Sequence, residues 1–293
     1  MVNFIAKATK FSDMPNYDYH SHSFYSDGVL SPEALIDRAI VKGVEYLALT
    51  DHDSLTGLEV ASEYIRKNSI DLSLINGVEI SAGTEYGEIH IVGLGIYPEN
   101  KALESQLHLQ RQARWERAER IDAKLKKCRV DGVLEHLKSE VHQVVTRTHI
   151  ARSIKALGYV NDLQQAFKKY IGKGGRAKVA QQWIPMEHSI ALIKEAGGIA
   201  VLAHPTRYPL SNRKLALLIE SFAQNGGEGI EMSYPSINKD KADWLEIHRS
   251  KNNLLASGGS DFHYPDLKWS DLGRFPEISR ETPHVSNKLK KSA

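Results

Sequence analysis

Two histidines two residues apart, in Tyr17-Asp18-Tyr19-His20-Ser21-His22-Ser23, are the first residues in the chain able to do chemistry together. Side chains alternate along a strand, so on a β-prone run both imidazoles face the same way and are preorganised to chelate a metal. Asp27 follows on the polar turn Ser26-Asp27-Gly28. A lone His-x-His also occurs in ordinary strands. Here more residues of the same kind follow. His52, His204, Asp261 and His263 each lie just past a short apolar run, and Glu79 and His90 lie within or at the end of one. Neutral imidazole with carboxylate, and no thiolate, suits Mn²⁺, Fe²⁺ or Zn²⁺ rather than Mg²⁺ or Ca²⁺, which favour oxygen shells. Six histidines, two aspartates and one glutamate exceed what one ion accepts, so two or three ions would share them, with a carboxylate as the bridge. Such a cluster lowers the pKa of bound water and clamps the oxygens of an in-line displacement.

The elements that must position these residues follow a βα rhythm. Ser31-Pro32-Glu33 predicts a helix start, with an N-cap serine, proline at the first helical position and an early glutamate, and the helix should stop near Gly43. Tyr46-Leu47-Ala48-Leu49-Thr50 is a short continuous apolar run typical of a buried parallel strand. A helix over 56–66 precedes a strand run that leads from 72–75 through Gly77 into 78–81, and 88–94 alternates toward another strand. After a long helical stretch the rhythm resumes. Strands are expected at Ile199-Ala200-Val201-Leu202-Ala203, Gly229-Ile230-Glu231-Met232 and Leu254-Leu255-Ala256-Ser257, with helices at 186–195, 214–224 and 239–251 between them. About seven strands alternating with helices predict an α/β fold with a parallel sheet closed as a barrel. In such barrels the C-terminal strand ends form one face, where active sites sit, so residues scattered along the chain would converge on one mouth.

Composition marks an insertion. Residues 104–178 hold 17 Lys and Arg against 8 Asp and Glu, while the whole chain is only +2, which leaves −7 for the rest. A helical bundle with solvated basic faces would look the same, but a +9 segment also fits a polyanionic substrate. The expected division is 14–100 and 181–280 for the barrel, 101–180 for the basic helical insertion and 281–293 for a flexible tail. With 41% apolar and 25% charged residues, this is the composition of an ordinary globular protein. One cysteine, Cys128, excludes a disulfide framework and a multi-thiolate zinc site. Met1 to Met14 lacks a secretory apolar core, and no run of 18 apolar residues occurs, so a soluble cytoplasmic protein is expected.

His108, His136, His142, His188, His248 and His284 lie on helical or tail segments and read as structural, whereas His149 sits in the cluster Arg147-Thr148-His149. Arg147, Arg176 and Arg207 are candidates to clamp phosphate oxygens, arginine's planar fork being suited to bidentate contact, with Arg152 and Lys173 behind them.

His20-Ser21-His22 with Ser26-Asp27-Gly28, Thr50-Asp51-His52-Asp53, Gly77-Val78-Glu79-Ile80, Ile89-His90-Ile91-Val92-Gly93, Ala203-His204-Pro205 and Gly259-Ser260-Asp261-Phe262-His263 resemble, in order, the motifs of the PHP (polymerase and histidinol phosphatase) family. The insertion with Thr146-Arg147-Thr148-His149 and Lys173-Gly174-Gly175-Arg176, and Arg207-Tyr208 after the His-Pro, are similar to its TrpH/YciV (RNase AM) branch. The resemblance implies a distorted (β/α)7 barrel with the helical insertion over its mouth, and a trinuclear site commonly holding Mn²⁺. It further implies hydrolysis of the 3′-phosphate of nucleoside 3′,5′-bisphosphates and 5′→3′ exonuclease action on short RNA. Carried over by position, His20, His22, Glu79 and Asp261 hold one ion, Glu79, His90 and His204 a second, and Asp27, His52 and His263 the third. Thr206 stands where the branch has glycine, and a β-branched residue there would narrow the mouth.

The expected reaction is metal-assisted phosphoester hydrolysis centred on Glu79 and His204, with His149 or a metal-held water protonating the leaving oxygen. Nucleoside bisphosphates and RNA 5′ ends are the expected partners, and no membrane is. The competing enzymatic reading is a small-molecule phosphatase of the histidinol-phosphate type, against which the basic insertion argues. A metal-dependent amidohydrolase fits the ligands but not the arginines, and a non-catalytic metal- or nucleic-acid-binding module would not need all nine ligands.

Overall fold

A computed structural model of the chain describes residues 16–141, 143–265 and 269–289; the N-terminal reading, His142 and the end of the tail lie outside the described residues. The sheet begins with β1 (Tyr17–Asp18), β2 (Tyr46–Leu49), β3 (Ser73–Thr84) and β4 (Gly87–Leu94), and continues with β5 (Ile184–Pro185), β6 (Ile199–Leu202), β7 (Gly229–Ser233) and β8 (Leu255–Gly258). Seven strands follow the path β1-β2-β3-β4-β6-β7-β8, and the two-residue β5 pairs with β3 off that path. The ring is joined between its ends. Tyr19 donates its N–H to Gly258 O (3.2 Å), Asp261 to His20 O (2.8 Å) and His22 to Phe262 O (3.0 Å).

One expectation fails. β4 runs antiparallel to both β3 and β6, so the sheet is mixed rather than parallel. Only Glu85 and Tyr86 separate β3 from β4. A linker that short can close a hairpin but cannot carry the crossover a parallel pair needs. The run from 72–75 through Gly77 into 78–81 is one continuous strand, β3, as expected.

The first outer helix of the barrel forms where its cap predicts. In α1 (Pro32–Val41) the Ser31 side chain accepts from Ala34 N, with Pro32 opening the helix. Its Leu35, Ile36 and Ala39 pack inward. α2 (Thr56–Asn68) completes this side of the barrel. The first half of α3 (Lys101–Lys127) belongs to the same core through Leu103 and Leu107. Its second half, from Ala118, packs on a separate apolar cluster with α4 (Val133–Glu140), α5 (Arg147–Ala156) and α6 (Leu163–Ala166). α3 thus ties the helical segment rigidly to the barrel. Part of the segment's positive charge is used in doing so. Arg114 donates to Asp53 Oδ2 (2.7 Å) and Ser81 Oγ (2.7 Å), Arg111 to Asp53 O (2.9 Å), and Arg117 to Val179 O (3.2 Å). The barrel is completed by α7 (Met186–Glu195), α8 (Asn212–Gln224) and α9 (Lys239–Lys251). No helix among the described residues is long and apolar enough to cross a membrane.

The tail also departs from expectation. Residues 283–289 dock on the barrel: Pro283 O accepts from Ala256 N (2.7 Å), Val285 is fully buried, and Leu289 packs against the same apolar cluster. Three apolar or aromatic partners explain this, a signal that the surrounding lysines hide in the sequence. His284 is buried against the stacked pair Tyr17 and Tyr19, its ring 4.9 Å and 5.9 Å from theirs. Burial pushes its pKa down to about 4.

Protonating His284 therefore opposes folding. Its contribution is complete above the ordinary histidine pKa near 6.5 and is lost as pH falls from there toward 4. Wild type should lose about 3 kcal/mol more than H284L over that window, since one pKa unit is about 1.4 kcal/mol. Urea melts at pH 7 and pH 4.5 check this, and parallel pH slopes for the two proteins would refute it.

Candidate metal centre

Glu79 is the hub. It sits in β3 where that strand also bridges to His52, and its N–H and C=O bond to Asp51 O and Asp53 N. Its carboxylate is fully buried and meets nitrogens of five histidines. Oε1 lies 2.9 Å from His90 Nδ1 and 3.1 Å from His204 Nε2. Oε2 lies 3.0 Å from His52 Nδ1 and 3.3 Å from both His20 Nε2 and His22 Nε2. The β3–β4 hairpin explains His90: it pairs with Ser81, which shares Glu79's face of the strand, so a diagonal contact follows.

Asp261 closes one side, its Oδ1 3.4 Å from His20 Nε2 and 3.2 Å from His22 Nε2. Asp27 closes the other, 3.1 Å from His263 Nε2 and 3.7 Å from His52 Nε2. All nine residues expected as ligands therefore converge. Three overlapping sets have mutually close donor atoms: His22, Asp27, His52 and His263; His20, His22 and Glu79; and His52, Glu79 and His90. His52 lies nearer to Glu79 than to Asp27, so it stands between two groups rather than wholly with Asp27 and His263.

The site's electrostatics call for positive charge. Burial alone would raise the pKa of Glu79, but His52, His20 and His90 outweigh it and hold the carboxyl well below its usual range. Asp27 is likewise low, burial being overcome by His263 and His52. Burial disfavours charge on His22, yet hydrogen bonds to Asp261 and Glu79 lift it to about 9. His90 rises against burial to about 10 beside Glu79. Protons would thus occupy positions where a divalent cation serves the same carboxylates. Several polar atoms also remain buried without hydrogen-bond geometry: Asp27 Oδ1, His52 Nδ1, Glu79 Oε2 and His204 Nδ1. A nitrogen–oxygen donor set of this kind, with orphaned atoms facing one another, fits borderline divalent ions.

Two supporting carboxylates were not singled out from the sequence. Glu231, fully buried in β7, contacts His20 Nδ1 at 2.7 Å with one oxygen and accepts from His204 N at 2.5 Å with the other. Its signal was an acid in the otherwise apolar run Gly229-Ile230-Glu231-Met232. Asp51 accepts from Ser23 N, Ser23 Oγ and Ser26 Oγ, and Ser26 Oγ in turn lies 3.3 Å from His22 Nδ1. Backbone shape matters too. A side chain at Gly259 would strike the backbone of His20 at 2.6 Å, and His204 and Asp261 hold φ of 30° and 52°, a region that side chains seldom adopt.

The expected substrate residues separate. Arg147 and Arg207 line a cavity of about 370 Å³ over the cluster, with Asp27, Glu79, His90 and His263. Arg207 is partly committed, pairing with Asp261 Oδ2 and lying 5.1 Å over the Tyr234 ring. Arg152 lies behind the cavity lining, bonded to Asp27 O (2.6 Å) and Tyr264, and so reads as a brace. Arg176 lies over Tyr170 within the helical segment and Lys173 is exposed there, neither lining this cavity. Thr206 does not narrow the mouth: its hydroxyl is turned to Tyr234 Oη at 2.6 Å. The acid role expected of His149 meets an obstacle. Its Nδ1 accepts from Thr146 N (3.2 Å) in a capping box, and burial pushes its pKa down to about 4, so at neutral pH it is an uncharged hydrogen-bond donor through Nε2.

Comparison with known proteins places this geometry among relatives. A profile of the PHP domain matches residues 18–260. A 5′-3′ exoribonuclease of Haemophilus influenzae is 40% identical over 258 residues, covering 88% of this chain and 93% of its own. A 3′,5′-nucleoside bisphosphate phosphatase of Chromobacterium violaceum is 37% identical, covering 90% and 93%. Among solved structures, an amidohydrolase from Chromobacterium violaceum with bound sulfate superposes with a TM-score of 0.86 at 36% identity, covering 94% of this chain and 95% of its own.

If Glu231 orients His20, Glu231→Gln should weaken Mn²⁺ or Zn²⁺ binding about 10- to 100-fold by calorimetry while the far-UV circular dichroism stays native. Unchanged affinity would assign Glu231 a purely structural part.

Proposed function

Because this chain belongs to the PHP family, we propose that it is a metal-dependent phosphoesterase that removes the 3′-phosphate of nucleoside 3′,5′-bisphosphates and shortens RNA from its 5′ end. The observation that carries this reading is the buried Glu79 carboxylate among five imidazoles, directly beneath a cavity that Arg147 and Arg207 enter. Relatives covering nearly all of the chain bear both activities in their names.

His20, His22, Glu79 and Asp261 would hold one ion, Glu79, His90 and His204 a second, and Asp27, His52 and His263 a third, with Mn²⁺ the proposed metal. When bound, such ions lower the pKa of water and neutralise charge on phosphoryl oxygens. The chain's own residues do the rest. Glu79 stays ionised throughout, so it anchors rather than shuttles protons. Arg147, exposed at the cavity and paired with Glu88 at 3.5 Å, would exchange that ion pair for a phosphate oxygen. Arg207 reaches the cavity from the opposite side while keeping Asp261 in place. His149 supplies a neutral N–H to the substrate. The basic helical segment, less the arginines bound to Asp53 and Val179, favours a polyanion without reading bases. The proposed setting is the cytoplasm.

Chelator-stripped protein given adenosine 3′,5′-bisphosphate should release phosphate and form AMP only after Mn²⁺ is restored. Arg147→Ala should raise KM about tenfold through loss of a charge-assisted contact. Release of the 5′-phosphate instead, or no release with any divalent ion, would refute the assignment.

A further inference from the structure

The cavity over the cluster does not end there. Thr148, Arg207, Asp261 and His263 are shared with a second cavity of about 440 Å³, which continues along Tyr264 and Ser260. Pro235, Ser236 and Trp269 are shared in turn with a third, of about 530 Å³, bounded by Lys42, Arg274 and Phe275. The result is a three-lobed cleft leading away from Glu79, each lobe of the size that holds a small ligand. A nucleoside bisphosphate held at the cluster would not need the third lobe, whose lining includes none of the cluster residues.

Trp269 stands on the wall between the second and third lobes, and 57% of it is exposed. Single exposed apolar side chains are ordinary on protein surfaces. This one lies inside a cleft continuous with the centre, and the third lobe beyond it is positively charged. Arg38 Nε (2.7 Å) and Lys42 Nζ (2.7 Å) share the single carboxylate of Asp271, which leaves that trio cationic. An aromatic face followed by cations is how proteins hold single-stranded nucleic acid without reading its sequence: a base stacks, and the backbone phosphates are tracked.

We infer that the third lobe is a subsite for the nucleotides that follow the first in a 5′-phosphorylated RNA, with a base stacked on Trp269 and the adjoining phosphate near Lys42. This rests on the phosphoesterase reading and deepens it. Trp269 becomes the residue that separates oligonucleotides from mononucleotides, and the separation is by chain length and not by base identity.

The test compares kcat/KM for 5′-phosphorylated triadenylate and for adenosine 3′,5′-bisphosphate in the full-length Mn²⁺-loaded protein. The ratio of the two should fall about tenfold in W269A, carried mainly by KM, and W269F should recover part of it. A ratio that does not move, or W269F as impaired as W269A, would overturn the inference and leave the aromatic wall to another partner, such as a protein. A wild type that hydrolyses neither substrate would instead overturn the phosphoesterase reading, and the subsite with it.

Discussion

A buried carboxylate is among the least comfortable groups a protein can hold, and Glu79 is completely buried. It persists because five imidazoles surround it, and those imidazoles are held there because strands from around a closed sheet point at one spot. The dependence runs both ways. Without the cluster the barrel would enclose an uncompensated charge, and without the barrel the cluster would have no reason to converge. Glu79 bonds through its backbone to Asp51 and Asp53, so the same residue that centres the charge also joins β3 to the loop after β2.

Around this hub the structure builds a second layer of anions. Glu231 fixes His20 and the backbone of His204, Asp51 gathers the serines behind His22, and Asp18 joins β1 to the loop after β8 by accepting from Ser260 N and Gly273 N. Asp53 is claimed by Arg114 and Gln110 from α3, which couples the helical segment to the site's floor. An imidazole whose other nitrogen is engaged has its tautomer and direction set in advance. These contacts therefore decide which lone pairs face the centre.

The basic helical segment illustrates how composition and geometry part company. Its charge excess is real, yet several of the arginines that create it are turned inward to carboxylates, carbonyls and the Trp183 ring. The cations left near the cluster are few and come from separate places in the chain: Arg147 from the start of α5 and Arg207 from the turn after β6. Charge counting is compatible with a polyanion partner; it does not say which side chains would meet one.

All nine cluster residues were legible in the sequence, because imidazoles and carboxylates at the ends of apolar runs are conspicuous against a strand's usual composition. So were the helices 186–195 and 239–251, each stopped by a glycine or asparagine soon after its end, the second also capped by Asn238. What the sequence could not determine were relations between distant residues. The reversal of β4 depended on a two-residue turn, the docking of His284 and Val285 on a cluster assembled from several strands, and the parts of Glu231, Arg152 and Thr206 on partners 27 to 211 positions away. Residue type and local period are properties of a segment and can be read along it. Which oxygen meets which nitrogen is a property of the closed sheet, settled only when burial forces every polar atom inside it to find a partner.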